Sequence, residues 1–264
     1  GADGDNVTWM LDDEGTLTIS GTGAMKNYVS YGSSLESPFS DNRFIKSVII
    51  EKGVTSIGSR AFRRCSLTSV TIPDSVTSID INAFCYCSSL TSVTIGAGVR
   101  KMGIAPFTGC NSLTGIWVNE NNHEYCSDKK GVLYNKAKTE LIQVPGGLSG
   151  EYNIPSSVTS IGDSAFYSCD RLTSVSIPSG VTSIGLSAFS NCTSLTSVVI
   201  KDGLRNIGQG AFGGCYRLIK VEIPVSVTTI SEGAFANTGV TDIYYQGTKS
   251  QWLAVAIADN NSVL

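Results

Sequence analysis

The sequence predicts a β-rich α/β repeat solenoid, with a parallel sheet of about nine strands on its concave face, short helical turns on its convex face and an N-terminal β-hairpin cap. Two observations predict it. Self-comparison gives a period of 23 residues, seen in VTSIGSRAFRRC from Val54, VTSIDINAFCYC from Val76, VTSIGDSAFYSC from Val158 and VTSIGLSAFSNC from Val181. Within each repeat runs a second period of two, apolar residues alternating with small polar ones, which marks a half-buried strand. No such unit can bury its apolar face alone, so the units must stack.

Taken in order, Val7 to Ser20 alternates on both sides of Asp12–Gly15 and reads as a hairpin capping the open sheet edge, within a cap of residues 1–36. Residues 37–118 and 152–245 hold the repeats. The Phe of each Ala-Phe or Pro-Phe pair recurs at Phe39, Phe62, Phe84, Phe107, Phe166, Phe189, Phe212 and Phe235. The strand pairs are Val48/Ile50, Val70/Ile72, Val93/Ile95, Ile116/Val118, Tyr152/Ile154, Val175/Ile177, Val198/Ile200, Val221/Ile223 and Ile243/Tyr245. Pro73, Pro155, Pro178 and Pro224 follow strands, where they remove no interior donor. Residues 119–151 form one enlarged coil, in which Gly131–Pro145 suggests a hairpin turning at Asn135–Lys138. In residues 246–264, Trp252, Leu253, Val255 and Ile257 are expected to fold over the last coil. The whole is read as one domain.

Composition agrees with a repeat. Of 264 residues, 36 are Ser and 23 are Thr, while only 16% are charged; hydroxyls therefore occupy the outward positions that charges usually fill. The net charge of -3 gives no reason to expect a nucleic-acid partner. No apolar run is long enough to span a bilayer, and Gly1–Asn6 carries no signal-like segment, so a secretion signal is expected to have been removed.

The V-T-S-I-G-x-x-A-F-x-x-C units, the GVLYN and LIQVP segments of the enlarged coil, the opening GTLTISGTGAM and the closing YYQGTKSQW resemble the BspA-like leucine-rich repeat proteins of bacterial surfaces, including those of gut commensals. The resemblance implies a right-handed leucine-rich-repeat superhelix, an extracellular or cell-surface location, and adhesion as an activity. It carries no catalytic residues to this chain.

Six of the eight cysteines, Cys65, Cys87, Cys110, Cys169, Cys192 and Cys215, stand three residues after a Phe and should form a column of buried thiols. Parallel Cβ vectors disfavour bridging between them, and Cys85/Cys87 has CxC rather than zinc-finger spacing. Cys85 and Cys126 lie outside the column, and a bond between them is left open. The single histidine, His123, falls in a polar loop. Asp12–Glu14 fits a hairpin turn rather than a calcium loop, and Gly21–Gly23 and Gly146–Gly147 lack the lysine of a phosphate loop. Basic residues at Arg60/Arg63/Arg64 and around Lys129–Lys138 are not interleaved with aromatics. No cofactor or metal is expected.

Function should then sit where the outward Ser/Thr ladder breaks: Trp117, Val199, Lys220, Glu222 and Tyr244 are the candidate binding residues. The leading expectation is a non-enzymatic, monomeric protein-binding module that engages a host extracellular-matrix or other cell-surface protein. Two alternatives remain: glycan binding through Trp117, Tyr125, Tyr244, Tyr245 and Trp252, and a structural spacer within a larger surface protein.

Overall fold

The computed structural model describes residues 6–28 and 36–264. The chain divides into two compact units, Gly1–Lys136 and Ala137–Leu264. In each, the repeat folds into a coil of three stretches: a long strand, a two-residue strand and a turn carrying the Ala-Phe pair. The coils in each unit are those of a β-solenoid, nearly without helix among the described residues.

The first unit holds β1 (Val7–Leu11), β2 (Thr16–Gly21), β3 (Gly23–Ala24), β4 (Ser47–Ile50), β5 (Val54–Ile57), β6 (Ser69–Ile72), β7 (Ser78–Ile79), β8 (Ser92–Ile95), β9 (Lys101–Met102), β10 (Gly115–Val118), β11 (Tyr125–Ser127) and β12 (Leu133–Asn135). β1 and β2 form an antiparallel hairpin, turned by Asp12, whose Oδ1 accepts from the amides of Glu14 and Thr16 at 3.1 and 2.7 Å. β2 pairs parallel with β4, and β6, β8 and β10 pair parallel with Val70, Val93 and Ile116 side by side. β3, β5, β7 and β9 form the short-strand ladder. β11 and β12 pair antiparallel.

The second unit holds β13 (Glu140–Gln143), β14 (Gly150–Asn153), β15 (Ser160–Ile161), β16 (Leu172–Ile177), β17 (Ser183–Ile184), β18 (Ser197–Ile200), β19 (Asn206–Ile207), β20 (Lys220–Ile223), β21 (Thr229–Ile230), β22 (Asp242–Tyr245), α1 (Lys249–Trp252) and β23 (Ala256–Ile257). Tyr152, Val175 and Val198 align across β14, β16 and β18, and Val221 aligns with Ile243 across β20 and β22.

The predicted Phe column is the core. Phe39, Phe62, Phe84 and Phe107 stack with centroids 5.0 to 5.6 Å apart, and Phe166, Phe189, Phe212 and Phe235 with centroids 4.4 to 5.3 Å apart. Trp9 closes the first stack edge-on against Phe39 at 5.5 Å, and Tyr152 leans on Phe166 at 6.2 Å. Beside the rings, the column cysteines are buried and free. The thiols of Cys65, Cys87, Cys110, Cys192 and Cys215 donate to the carbonyls of Phe39, Phe62, Phe84, Phe166 and Phe189 in the preceding coil, at 3.0 to 3.1 Å. Burial pushes the Cys65, Cys110 and Cys192 thiols far up, and holds Cys85 at about 12. Cys85 and Cys126 form no disulfide; the Cys126 thiol donates to the Asn135 carbonyl at 3.3 Å.

The turn is not the helical turn that the sequence suggests. In the coil of Phe62, the amides of Ala61, Arg63 and Cys65 donate three residues back, whereas those of Arg60, Phe62 and Arg64 donate to Ile81, Ala83 and Cys85 of the next coil. Alternate donors thus leave the coil, which a helix cannot allow. Arg60 and Arg64 take positive φ to aim them, as do Asn82/Tyr86, Ser164/Ser168 and Ser187/Asn191 in other coils. Threonines add rungs of the same kind: Thr91, Thr114 and Thr196 donate their hydroxyls to the carbonyls of Thr68, Thr91 and Thr173 at 2.9 to 3.1 Å.

The C-terminal cover differs from expectation. Trp252 packs on Tyr245, with centroids 5.1 Å apart, but Leu253 is 73% exposed and Ile257 39%. The buried Asn261 does the capping instead. Its Oδ1 accepts from the Phe235 amide at 3.1 Å, where other coils offer a following carbonyl, and its Nδ2 donates to the carbonyls of Ser231 and Ala258, both at 2.9 Å. The following segment takes the Gly233 amide on the Asp259 carbonyl at 2.9 Å, but at Phe235 the acceptor is a side chain, which an apolar residue could not supply.

Phe166→Ala removes a ring between Tyr152 and Phe189, and is expected to cost about 3–5 kcal/mol in urea unfolding through the cavity it leaves; a change below about 1 kcal/mol contradicts the assigned core. In the thiol column, the buried sulfhydryls should resist a disulfide reagent in the native protein at pH 8, with half-buried Cys126 reacting first. All eight should react in denaturant, and a denatured count below six contradicts free column thiols.

Candidate functional site

The long strands present alternate residues to one face of their sheet. In the first unit most of these are Ser and Thr, and Gly115/Trp117 interrupts them on β10. Trp117 is 42% exposed, and its indole lies over Gly115, where an added Cβ would come within 2.5 Å of ring atoms. Gly131, at φ +70, approaches from the other side: a Cβ there would meet the Gly115 Cα at 2.4 Å. The enlarged coil also occupies the β10 edge, with the Ile116 amide donating to Gly131 at 2.9 Å and the Val118 amide to Ser127 Oγ at 3.0 Å. Behind it, buried Asn122 donates from Nδ2 to the carbonyls of Gly96 and Val99 and accepts at Oδ1 from the amides of Glu124 and Tyr125. Thus the polar run read as a solvated loop contains one structural plug, next to the exposed His123.

The other four candidates lie in the second unit. The parallel ladder of β14, β16 and β18 stops at β18 and resumes as a separate pair, β20 and β22. At the next rung, Gln246 donates its amide to Ile223, but Pro224 has none to donate to Ile200. Pro178 lacks the same donor after β16, yet there Ile154 donates to Ser176 in return and the ladder persists. Where β18 and β20 part, a cleft of 530 Å³ opens, lined by Val199, Lys201, Asp202, Lys220, Glu222 and Gln246 among others. Three of the predicted residues therefore line one cleft.

Tyr244 joins them from β22. Lys220 Nζ lies 2.8 Å from Glu222 Oε1 and 4.4 Å from the centroid of the Tyr244 ring. The hydrogen bond to Glu222 raises the Lys220 pKa above its ordinary value, so the ammonium is retained. Both side chains are about half exposed, and such a surface pair adds little to folding because solvent screens it. Its effect is orientational: a cation, a carboxylate, an aromatic ring and the bare Val199 side chain, 51% exposed, are held at fixed places on one face.

Ile49, 52% exposed, lies at the matching interruption between β4 and β6, which Pro73 follows. Its apolar side chain in the outward Ser/Thr row is the sequence signal that could have added it to the site. Of the aromatic set considered for glycans, Trp117 and Tyr125 belong to the first unit; in the second, Tyr245 and Trp252 contact each other on the opposite side of β22 from Tyr244. The arginine cluster is paired with acids, Arg63 with Asp41 at 2.9 Å and Glu36 at 3.6 Å, and Arg64 with Asp41 at 3.5 Å. Among the described residues, no group of His, Cys, Asp and Glu could hold a metal ion, and no helix is long and apolar enough to cross a membrane.

Stacked coils with a parallel long-strand sheet, a buried Phe and Cys column and a varied outer row define a leucine-rich-repeat-like solenoid protein. The chain belongs to the BspA type leucine rich repeat family, whose six-copy region matches residues 35–150 and again 148–262. It is similar to a leucine-rich repeat protein from Eubacterium ventriosum at 25% identity and TM-score 0.56, over 91% of this chain and 83% of that one. A leucine rich cell surface protein from Faecalibacterium prausnitzii shares the fold at 23% identity and TM-score 0.63, over 97% of both chains. The pneumococcal vaccine antigen PcpA shares it at 16% identity and TM-score 0.68, over 100% of this chain and 85% of that one. None of the curated proteins compared matches the chain. The family suggests a protein-interaction module.

Proposed function

We propose that the chain is a non-enzymatic protein-binding module, secreted or held at a bacterial surface, that adheres to a host extracellular-matrix or other cell-surface protein through its long-strand face. The cleft between β18 and β20 carries this reading. It is the place in the second unit where the repeated Ser/Thr surface gives way to Val199, Lys220 and Glu222, with Tyr244 adjoining. An exposed apolar side chain beside an oriented ion pair and an aromatic ring is the composition of an interaction hot spot, since each offers a contact that water replaces poorly. The repeat supports the reading from the other side: it uses its hydroxyls, thiols and amides between coils and leaves the varied positions to a partner. Surface placement rests on the resemblance to a family of surface proteins.

Binding of the full chain to immobilised extracellular-matrix proteins and to host cells tests the proposal. Val199→Glu and Lys220→Ala should each weaken it by about tenfold or more, with unchanged circular dichroism, while Thr71→Ala leaves it intact. No binding by the native chain, or native-like binding by both cleft variants and by Trp117→Ala, overturns it.

A further inference from the structure

The turn face of the second unit carries a larger concavity, which is remote in function from the strand-face cleft. It encloses 980 Å³, near the upper end of the size of small-ligand sites. Its origin lies in the sequence of one coil. At the turn position occupied by Tyr167 and Ser190 in the two preceding coils, this coil has Gly213, and Gly210 and Gly214 stand at its two positive-φ positions. With those side chains absent, the turn sinks between walls that carry Leu186 and Tyr216, 48% and 62% exposed.

The lining is chemically selective. It contains no lysine or arginine; its charge is a single carboxylate, Glu232, among amides and hydroxyls. Glu232 is fixed by Asn260 Nδ2 on Oε1 at 3.0 Å and by Gln209 Nε2 on Oε2 at 3.5 Å. Asn191 donates Nδ2 to the Tyr167 hydroxyl at 3.1 Å. Its Oδ1 fills the space over Gly214, 2.5 Å from where a Cβ would stand, so glycine there is what lets this acceptor sit.

We propose that this groove binds a neutral glycan. Planar amides offer a donor and an acceptor together, as vicinal sugar hydroxyls require, and a held carboxylate accepts from two hydroxyls. The Tyr216 ring supplies a flat apolar surface for the C–H face of a sugar ring and a hydroxyl at its rim. Without a cation in the lining, phosphorylated or sulfated ligands are disfavoured. An extended peptide would seek a free strand edge or an apolar groove, and this surface, built of turns, offers neither.

The test uses the full chain on an array of neutral hexose and N-acetylhexosamine oligosaccharides, followed by calorimetry with those that bind. Tyr216→Ala should weaken binding by about tenfold or more, the loss of one good contact. Gly213→Tyr copies Tyr167 from a sibling coil, where the same turn accepts it. The added Cβ would find its nearest neighbour, the Gly210 carbonyl oxygen, at 3.3 Å. This variant should keep the native melting temperature and lose binding. Trp117→Ala and Lys220→Ala should bind glycan normally, which separates this groove from the strand-face cleft. No neutral oligosaccharide bound by the native chain, binding confined to anionic glycans, or equal binding by Tyr216→Ala and the folded Gly213→Tyr overturns the proposal.

Discussion

Half of the backbone donors in each turn point out of their own coil, and the structure depends on the next coil accepting them. The amides of Phe62, Phe84, Phe166, Phe189 and Phe212 find the carbonyls of Ala83, Pro106, Ala188, Ala211 and Ala234. A buried amide left without a partner costs about 1–3 kcal/mol, so each coil must present its carbonyls at one height and in one register. That requirement fixes the repeat length, seats the Phe rings over one another within 4.4 to 5.6 Å, and places the thiols of Cys65, Cys87, Cys110, Cys192 and Cys215 at the carbonyl of the preceding Phe. Packing and hydrogen bonding here select the same register, so a slip of one residue would break both together.

The same dependence makes the ends of a stack problematic, because an end coil has donors or edges with no successor. Three devices answer this. The β1–β2 hairpin extends the first sheet and brings Trp9 edge-on to Phe39. The enlarged coil covers β10 with Gly131 and Ser127, a close approach that Gly115 permits. Asn261 gives the Phe235 amide a side-chain acceptor where other coils give a backbone carbonyl. Asn122 and Asn261 thus do one job at different places: a side-chain amide, carrying both donor and acceptor, stands in for the backbone of a neighbour.

This explains how far the sequence could be read. Strands, Phe column and thiol column were legible because each is periodic, and the repeat multiplies a weak signal. The turn was misread as helical because A-F-x-x-C has helical spacing within its coil, while the acceptors that decide its conformation lie some 20 residues on, at Ile81, Ala83 and Cys85 for the Phe62 coil. The C-terminal cover was assigned to Trp252, Leu253, Val255 and Ile257 because apolar residues suggest a lid, yet the need at Phe235 was for a hydrogen-bond acceptor, and a lone Asn has no period to betray it. Of the candidate site, Val199, Lys220, Glu222 and Tyr244 were visible as departures from Ser/Thr. Their convergence depends on the ladder ending between β18 and β20, a matter of pairing between coils that one-dimensional pattern does not express. The groove at Gly213 was hidden for the opposite reason, since a missing side chain among many glycines leaves no mark.

What the repeat spends internally bears on where a ligand can be recognised. Threonine hydroxyls donate to the coil before, thiols donate to the coil before, and turn amides donate to the coil after, so these repeated groups enter a binding event with their donors already engaged. Directional chemistry free to meet a ligand is therefore concentrated where the repeat is altered: by substitution with Lys220 and Glu222 on the strand face, and by deletion to Gly210, Gly213 and Gly214 around Asn191, Gln209 and Glu232 on the turn face. The two alterations differ in kind. The strand face gains a charge pair and apolar surface on a framework held by its ladders, which suits a broad macromolecular contact whose specificity comes from electrostatic complementarity. The turn face loses bulk and gains a concave, neutral, amide-lined wall, which suits a small polar ligand enclosed by it. A single scaffold can carry both because its stability derives from the column beneath, which neither alteration touches.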